Sequence, residues 1–404
     1  MKIAQVCPYN IFRGGGVYSH IQYLSDELRR REHEVKIITP SVKGEDTDKE
    51  DIIFIGKCED VFFNNTQGDI SFARGDEKDK LKKVLQEEKF DILHFHEPAS
   101  PVLPLQILQE SNSINVATFH ASFPGNIVGK SIETLAATIF SSITNVLDGV
   151  IAVSEVPKKY FKEYYKGKIH VVPNGIDLDV YKPSNEPFEK YMDGKVNILF
   201  LGRLDKRKGV MYLLKAFRKL NKKIENLRLI IAGKGEQLNK VKDYVRKHKL
   251  KNVEILGFIK EKDKPGIYAS CDIFCAPALY GESLGIVLLE AMASGKPVVA
   301  FANPGYKTVL KGTGSLFLVK PKDVKGLTKK LEILCNDKKL RKFVGEWGIS
   351  EVKSYSWIRV CDDVLKVYEE AILKRENANK EKSKKGLRIK VQSWLKQLNE
   401  KIFK

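Results

Sequence analysis

The 404-residue chain has no apolar run approaching the ~20 residues needed to cross a bilayer. Its opening residues, Met1-Lys2-Ile3-Ala4-Gln5-Val6, lack the layout of a secretory leader and read as the first strand of a domain. Six cysteines (Cys7, Cys58, Cys271, Cys275, Cys335, Cys361) form no paired framework, which excludes a small disulfide-held fold. Cys271 and Cys275 stand close together, but no second pair or histidine cluster completes a zinc site, so buried reduced thiols are expected. A G-x-G-x-x-G is also missing. Gly14-Gly15-Gly16 would let backbone approach a phosphate, yet without the fingerprint a dinucleotide-dependent oxidoreductase is disfavoured.

Positive charge is abundant: 70 Lys and Arg against 51 Asp and Glu give a formal +19. This favours an anionic partner, whether nucleic acid, lipid surface or phosphorylated substrate. The length suits two domains of about 180 residues. Strand-like runs alternate with helical ones at Lys2–Cys7, Glu34–Thr39, Phe90–His94, Val116–Phe119, Gly149–Val153 and Lys168–Val172. They resume at Asn197–Leu201, Arg228–Ala232, Glu254–Leu256, Ile273–Ala276, Pro297–Phe301 and Leu316–Val319. Such alternation predicts an α/β protein of two doubly wound sheets, with ligands outside the carboxyl ends of the strands.

Strand ends are therefore where chemistry is sought. Gly202-Arg203-Leu204-Asp205-Lys206-Arg207-Lys208-Gly209 follows one strand; Arg203 could grip a pyrophosphate as a fork and Lys208 as a point charge. His94 and His96 share one face of a strand and could pair on a metal, but with no third ligand two polar residues at a strand end is the favoured reading. His120 follows an apolar strand directly and should project into a cleft. Asp177-x-Asp179 lies in a turn-rich connector from Pro173 to Pro183 that reads as an interdomain hinge rather than a metal site.

One stretch organises the rest, from Tyr280-Gly281-Glu282-Ser283 through Glu290 to Gly295-Lys296-Pro297. A helix is expected from Ser283, with Glu282 at its cap and Gly295 and Pro297 stopping it. Glu290 comes eight residues after Glu282, ~12 Å further along and ~80° around. The two carboxylates cannot share one proton or metal but could hold two parts of an elongated ligand. Exposed N–H groups near Ser283, Leu284 and Gly285 would take an anion between them. A nucleotide sugar has that shape.

Glu282 and Glu290 resemble the E-x7-E signature of retaining glycosyltransferases with two facing Rossmann-like domains (the GT-B type, family 4), and the surrounding GESLGIVLLEAMASGKPVVA is similar to that family. Within it, Val6-Cys7-Pro8-Tyr9, Gly15-Gly16-Val17, Ser19-His20, His96-Glu97-Pro98 and Thr118-Phe119-His120-Ala121-Ser122 look most like phosphatidylinositol mannosyltransferases. The resemblance implies a hexosyl transfer, most readily mannose from GDP-mannose to a phospholipid such as phosphatidylinositol. It implies donor binding by Gly16, Arg203, Lys208, Ile259, Glu282, Ser283, Leu284, Gly285, Ile286 and Glu290, and acceptor binding by Tyr9, Gly15 and His120. His120, Arg203, Lys208 and Glu282 would carry the catalysis. No cofactor and no protein metal site are implied, Mg2+ at most stimulating. Lys80-Leu81-Lys82-Lys83 is similar to the group's basic membrane-facing helix, and a cytoplasmic enzyme peripheral to the inner face of the plasma membrane is implied. Arg13, Tyr18 and Asp79 depart from the group's pattern around the acceptor.

The implied plan is an acceptor domain at 1–173, a nucleotide-sugar domain at 174–354, a crossover helix at 355–374 and a tail at 375–404. The tail holds ten Lys and Arg against three Glu. Lys380–Lys385 reads as a linker; beyond it Leu387, Val391, Trp394, Leu395, Leu398 and Ile402 recur at helical spacing, as in a membrane anchor, with docking on the parent domain or a dimer contact as the alternatives. Two other functions stay open: the same enzyme class with a UDP-sugar and a soluble inositol phosphate or glycan, and a non-catalytic binder of anionic lipid. Nucleic acid is not expected as a partner, and nothing specifies the oligomeric state.

Overall fold

A computed structural model describes residues 1–13, 15–63, 66–98, 102–120 and 143–402, with backbone alone at 13, 60–69 and 381–402. The first sheet comprises β1 (Lys2–Val6), β2 (Glu34–Ser41), β3 (Ile52–Phe63), β4 (Thr66–Phe72), β5 (Ile92–His96), β6 (Ile114–Phe119), β7 (Gly149–Ala152) and β8 (Ile169–Val171), in the order β4-β3-β2-β1-β5-β6-β7-β8. The second comprises β9 (Val196–Leu201), β10 (Leu227–Ala232), β11 (Val253–Gly257), β12 (Ile273–Ala276), β13 (Val298–Phe301) and β14 (Leu318–Val319), in the order β11-β10-β9-β12-β13-β14. Both are Rossmann-like, reversing direction beside their first strand, between β1 and β5 and between β9 and β12. Helices cover both faces of each sheet, which is why strands such as β10 and β12 are buried along their whole length.

The alternation read from the sequence is present, with one omission. β3 and β4 were not foreseen. They form an antiparallel pair, from Lys57 opposite Phe72 to Phe63 opposite Thr66, at the edge of an otherwise parallel sheet. The apolar start of β3, Ile52-Ile53-Phe54-Ile55, runs into Gly56-Lys57-Cys58-Glu59-Asp60, whose mixed character hides the strand.

The chain passes between the sheets twice. The outward and return segments meet where the Ile176 N–H donates to the Tyr355 carbonyl at 2.8 Å. A helix from Trp357 to Ile402 then packs on the first sheet: Trp357, Val360, Cys361, Val364, Val367, Tyr368 and Ala371 sit at helical spacing in a cluster with Ile3, Val116 and Ile151. The linker expected at Lys380–Lys385 is absent, because the helix runs through it. Lys and Glu are good helix formers, and no proline interrupts the stretch. Trp394 and the tail's other apolar side chains lie outside the described side chains. Among the described residues no helix is long and apolar enough to cross a membrane.

Close backbone approach fixes the loop after β9. Gly209 has φ +72°, and a Cβ there would lie 2.0 Å from the Pro277 carbonyl oxygen at the end of β12. Gly194, at φ +81°, has no atom within 4 Å of such a Cβ. Gly194→Ala is expected to cost about 1 kcal/mol, the conformational part alone. Gly209→Ala should cost ~2–3 kcal/mol or more, since Pro277 backbone must also move. Denaturant midpoints of the two variants decide this; equal losses would refute the contact's importance.

Candidate active site

The loop after β9 turns two cations onto one carboxylate. Lys208 Nζ lies 2.8 Å and Arg207 Nη1 2.5 Å from Glu282 Oε1, and the Glu282 side chain is 9% exposed. Asp205 holds the turn by accepting the Lys208 N–H at 2.8 Å. Two half-buried cations on one anion leave net positive charge. Arg203 is placed at the rim, 65% exposed, with its guanidinium 3.4 Å from Asp205. Sequence reasoning named Arg203 and Lys208 and passed over Arg207; no spacing signal separates Arg207 from its basic neighbours.

The helix expected from Ser283 begins three residues later, at Ile286, and ends at Ala293. Its N-cap is Gly285, at φ +101°, where a Cβ would come within 2.6 Å of the Tyr306 ring. Glu282 is thus no cap. Its carboxylate belongs to Arg207 and Lys208, Ser283 is half-buried in the preceding turn, and Leu284 is buried in the core. The helix Gly16–Arg30 of the first domain has glycine, Gly15, at its N-cap too. Neither helix has a side-chain cap or an acidic residue in its first turn. The two starts face one another: a Cβ at Gly16 would lie 3.7 Å from Ile286 Cδ1, and the Ser154 hydroxyl donates to the Ser283 carbonyl across the gap. Uncapped N–H groups from both domains thus come together beside Lys208 and Arg207, an arrangement that could take an anion.

Glu290 lies on the buried face of the Ile286 helix, 6% exposed. Its Oε2 accepts from the Tyr268 hydroxyl at 2.7 Å, and Lys264 Nζ stands 3.9 Å from Oε1. Burial raises its pKa, against the pull of Lys264 and the tyrosine hydroxyls of Tyr268 and Tyr181. These tyrosines, far off in sequence, were not foreseen. Ile259 is half-buried at the margin of the same cluster, and Phe258 beside it is 65% exposed.

In the first domain, the ends of β5 and β6 carry histidines. His94 and His96 are at the end of β5, as the sequence indicated, and are fully buried with stacked rings 4.4 Å apart. His94 contacts the Tyr368 hydroxyl and Thr118 Oγ1, both at 2.7 Å. His96 Nε2 lies 2.7 Å from Gln5 Oε1 and His96 Nδ1 3.0 Å from His120 Nε2. His120 is half-buried, its backbone N–H donating to Glu97 Oε1 at 2.6 Å. His20, 4% exposed, sets its ring edge-on to His120, with centroids 4.7 Å apart, and has Asn174 as its polar neighbour. The fold thus supplies the third imidazole that the sequence lacked: His20, His96 and His120 offer ring nitrogens within 4.8 Å of one another, a donor set a transition metal could take. Both His96 nitrogens are already engaged, however, so a metal there would have to displace a hydrogen bond. Glu97 lies in the strand-end stretch His94–Pro98 singled out from the sequence, whereas Gln5, His20 and Tyr368 were not foreseen as members of this site.

Tyr9 is half-buried, its carbonyl accepting from the Thr39 hydroxyl at 3.2 Å, and Gly15 and Gly16 are exposed. Asp177 caps its own turn, accepting the Asp179 N–H at 2.9 Å. On the helix Asp76–Glu88, Leu81 is buried while Lys80, Lys82 and Lys83 point outward, with Lys82 3.8 Å from Glu110 and Lys83 3.8 Å from Glu87.

Burial pushes His94 down to about 3 and His120 to about 4, and His20 and His96 well below the usual value of 6.5. Unfolding restores the ordinary value, so below it the unfolded chain binds more protons. The stability these rings confer is complete above pH 6.5 and is lost as pH falls towards 4 and then 3. Each contributes up to ~1.4 kcal/mol per pH unit in that window. Denaturant titrations at pH 7.5 and 5 should show a marked loss, and a pH-independent midpoint would contradict it.

Comparison with known proteins bears on this geometry. The family model "Glycosyl transferases group 1" matches residues 183–350, and "Glycosyltransferase Family 4" matches residues 14–180. The chain is 32% identical over 381 residues to phosphatidyl-myo-inositol mannosyltransferase of Mycolicibacterium smegmatis, across 91% of this chain and 94% of that one. Its counterpart in Mycobacterium tuberculosis is 31% identical, across 91% and 97%. Among solved structures, sucrose-phosphate synthase of Thermosynechococcus elongatus matches with TM-score 0.73 and 20% identity over 92% of this chain and 99% of that one. Anabaena HepE, with UDP and glucose, matches at 0.68 and 17% over 91% and 99%. These two likenesses are of fold: two Rossmann-like domains facing across a cleft, the GT-B arrangement. The chain belongs to the family 4 glycosyltransferases.

Proposed function

We propose that this glycosyltransferase moves mannose from GDP-mannose to an inositol hydroxyl of phosphatidylinositol, retaining the configuration at the sugar. The mannosyl group and the acceptor rest on the names of the mannosyltransferases with which it aligns over 91% of its length, and GDP as the nucleotide rests on the family resemblance alone. The observation that carries the chemistry is the meeting of two uncapped helix starts beside Lys208 and Arg207. Departure of a nucleoside diphosphate leaves an oxocarbenium-like sugar and a growing negative charge on phosphate. Fixed donors aimed at that charge are the chief source of rate.

In this reading Lys208 and Arg207 turn from Glu282 to the phosphates, and Arg203 closes over them from the rim. Glu282 then takes sugar hydroxyls, with Ser283, Leu284, Gly285 and Ile286 supplying the turn and helix start, and Gly16 meeting the phosphate from the other domain. Glu290 holds the ribose, and Ile259 borders the base. His120, neutral because it is largely desolvated, accepts a hydrogen bond from a hydroxyl rather than acting as an acid, next to an acceptor bounded by Tyr9 and Gly15. Attack comes from the face that the leaving group departs, with no protein nucleophile. The cations and helix starts need no metal, Mg2+ at most stimulating. Lys80, Lys82 and Lys83, and the tail helix with Trp394, hold the enzyme on anionic lipid at the inner face of the membrane.

Purified protein, liposomes of total lipid extract and a panel of labelled nucleotide sugars test this directly. Label should enter the organic phase from GDP-mannose, and only when phosphatidylinositol is present. Label from a UDP-sugar instead, or a water-soluble product, would overturn the donor or the acceptor. Lys208→Ala should lower kcat by roughly 10²–10³, the scale for removing one donor to a developing anion.

A further inference from the structure

Three imidazoles from separate elements converge in the first domain. His20 comes from the Gly16–Arg30 helix, His96 from the end of β5 and His120 from just after β6. Each offers a ring nitrogen within 4.8 Å of the other two. Ring centroids are 4.7 Å apart for His20 and His120 and 5.3 Å apart for each of the other pairs. Ligands of a tetrahedral ion, with metal–nitrogen bonds of ~2.0–2.1 Å, stand ~3.3 Å from one another and their ring centroids ~5 Å apart. The rings already have that spacing, and the 3.0 Å from His96 Nδ1 to His120 Nε2 is close to one edge of such a tetrahedron.

We propose that His20, His96 and His120 bind one divalent transition-metal ion of the zinc class, and that the ion blocks sugar transfer by taking the His120 ring out of use. Imidazole nitrogens alone suit zinc, cobalt or nickel; magnesium and calcium take oxygens. The ion replaces the proton between His96 Nδ1 and His120 Nε2. Whichever ring carries that proton moves it to its own far nitrogen, so each imidazole stays neutral and nothing else is consumed.

The surroundings fit a bound ion. With Nδ1 on the metal, His96 Nε2–H donates to Gln5 Oε1 at 2.7 Å, the outer support that metal-bound histidines usually have. Gln5 in turn donates to the Tyr368 hydroxyl at 3.4 Å. Asn174, 7% exposed, lies against His20 and His120 and offers its carboxamide oxygen to a ring N–H turned away from the ion. Glu97, 4% exposed and bonded to the His120 N–H, places an acid beside the incoming charge. Burial keeps all three rings uncharged at neutral pH, as ligands must be. His94 stays out of the set, its nitrogens taken by Tyr368 and Thr118. That the ion inhibits rests on the role proposed for His120; that it binds does not.

The test strips the full-length chain of metal with a chelator and titrates it, without substrates, with Co2+ as the visible stand-in for Zn2+. One equivalent should give the bands of a tetrahedral ion with no thiolate charge transfer, and Zn2+ should displace it. His20→Gln should weaken binding by more than the ~10–100-fold that loss of an outer partner costs, and Gln5→Leu by about that much. His120→Gln serves if His20→Gln fails to fold. His248→Gln, on the second domain, should leave binding unchanged. No one-equivalent site, or a site indifferent to folded His20→Gln and His120→Gln, would overturn the metal site. In the transfer assay Zn2+ should inhibit over the range in which it binds, with recovery on chelation; full transfer by the loaded protein would overturn the block. Co2+ binding as expected in a protein that transfers no mannose would sink the proposed donor and leave the metal site standing.

Discussion

Parallel strand pairing is the constraint on which the rest depends. Every strand of the second sheet and all but β4 of the first run the same way as their neighbours. A parallel strand must be followed by a crossover, so all the loops that leave strands gather on one edge, and helices begin there. Two such edges face each other here. The helix starts at Gly16 and Ile286, the basic loop ending at Gly209 and the histidines after β5 and β6 are therefore neighbours by topology, not by sequence.

That placement concentrates positive potential, and the fold answers it with few anions. Glu282, in the turn before the Ile286 helix, is the carboxylate against Lys208 and Arg207, while Glu290, within that helix, is held by Tyr268 and Lys264. A buried carboxylate with a raised pKa is costly unless it binds hydroxyls, and a cation pair resting on a single acid is poised for a stronger anion.

Much of this was legible in the sequence because it is local. Alternating strand and helix patterns, Gly295 and Pro297 at a helix end, and acids eight residues apart need only neighbours in the chain. The rest depends on contacts that no spacing reveals. His94 meets Tyr368 across 274 residues, and Arg207 meets Glu282 across 75. The helix start slipped from Ser283 to Ile286 because Gly285 must adopt a left-handed backbone beneath the Tyr306 ring, a tertiary demand. The tail misled for a different reason: a run of charges reads as linker, yet Lys and Glu also favour helix.

The terminal helix joins these themes. Its first turn holds Trp357, whose ring lies 5.0 Å from that of His20, and His20 abuts His120. Three turns on, Tyr368 enters the hydrogen-bond line that ends on the same residue. The helix begins where the two connecting segments are bonded at Ile176 and Tyr355, so relative motion of the domains must pivot beside it. Because the buried histidines are uncharged, such motion cannot act on His120 through a change in ionisation. It can act through packing at Trp357. The element that crosses back to close the first domain is thus also the wall and the anchor of its histidine site.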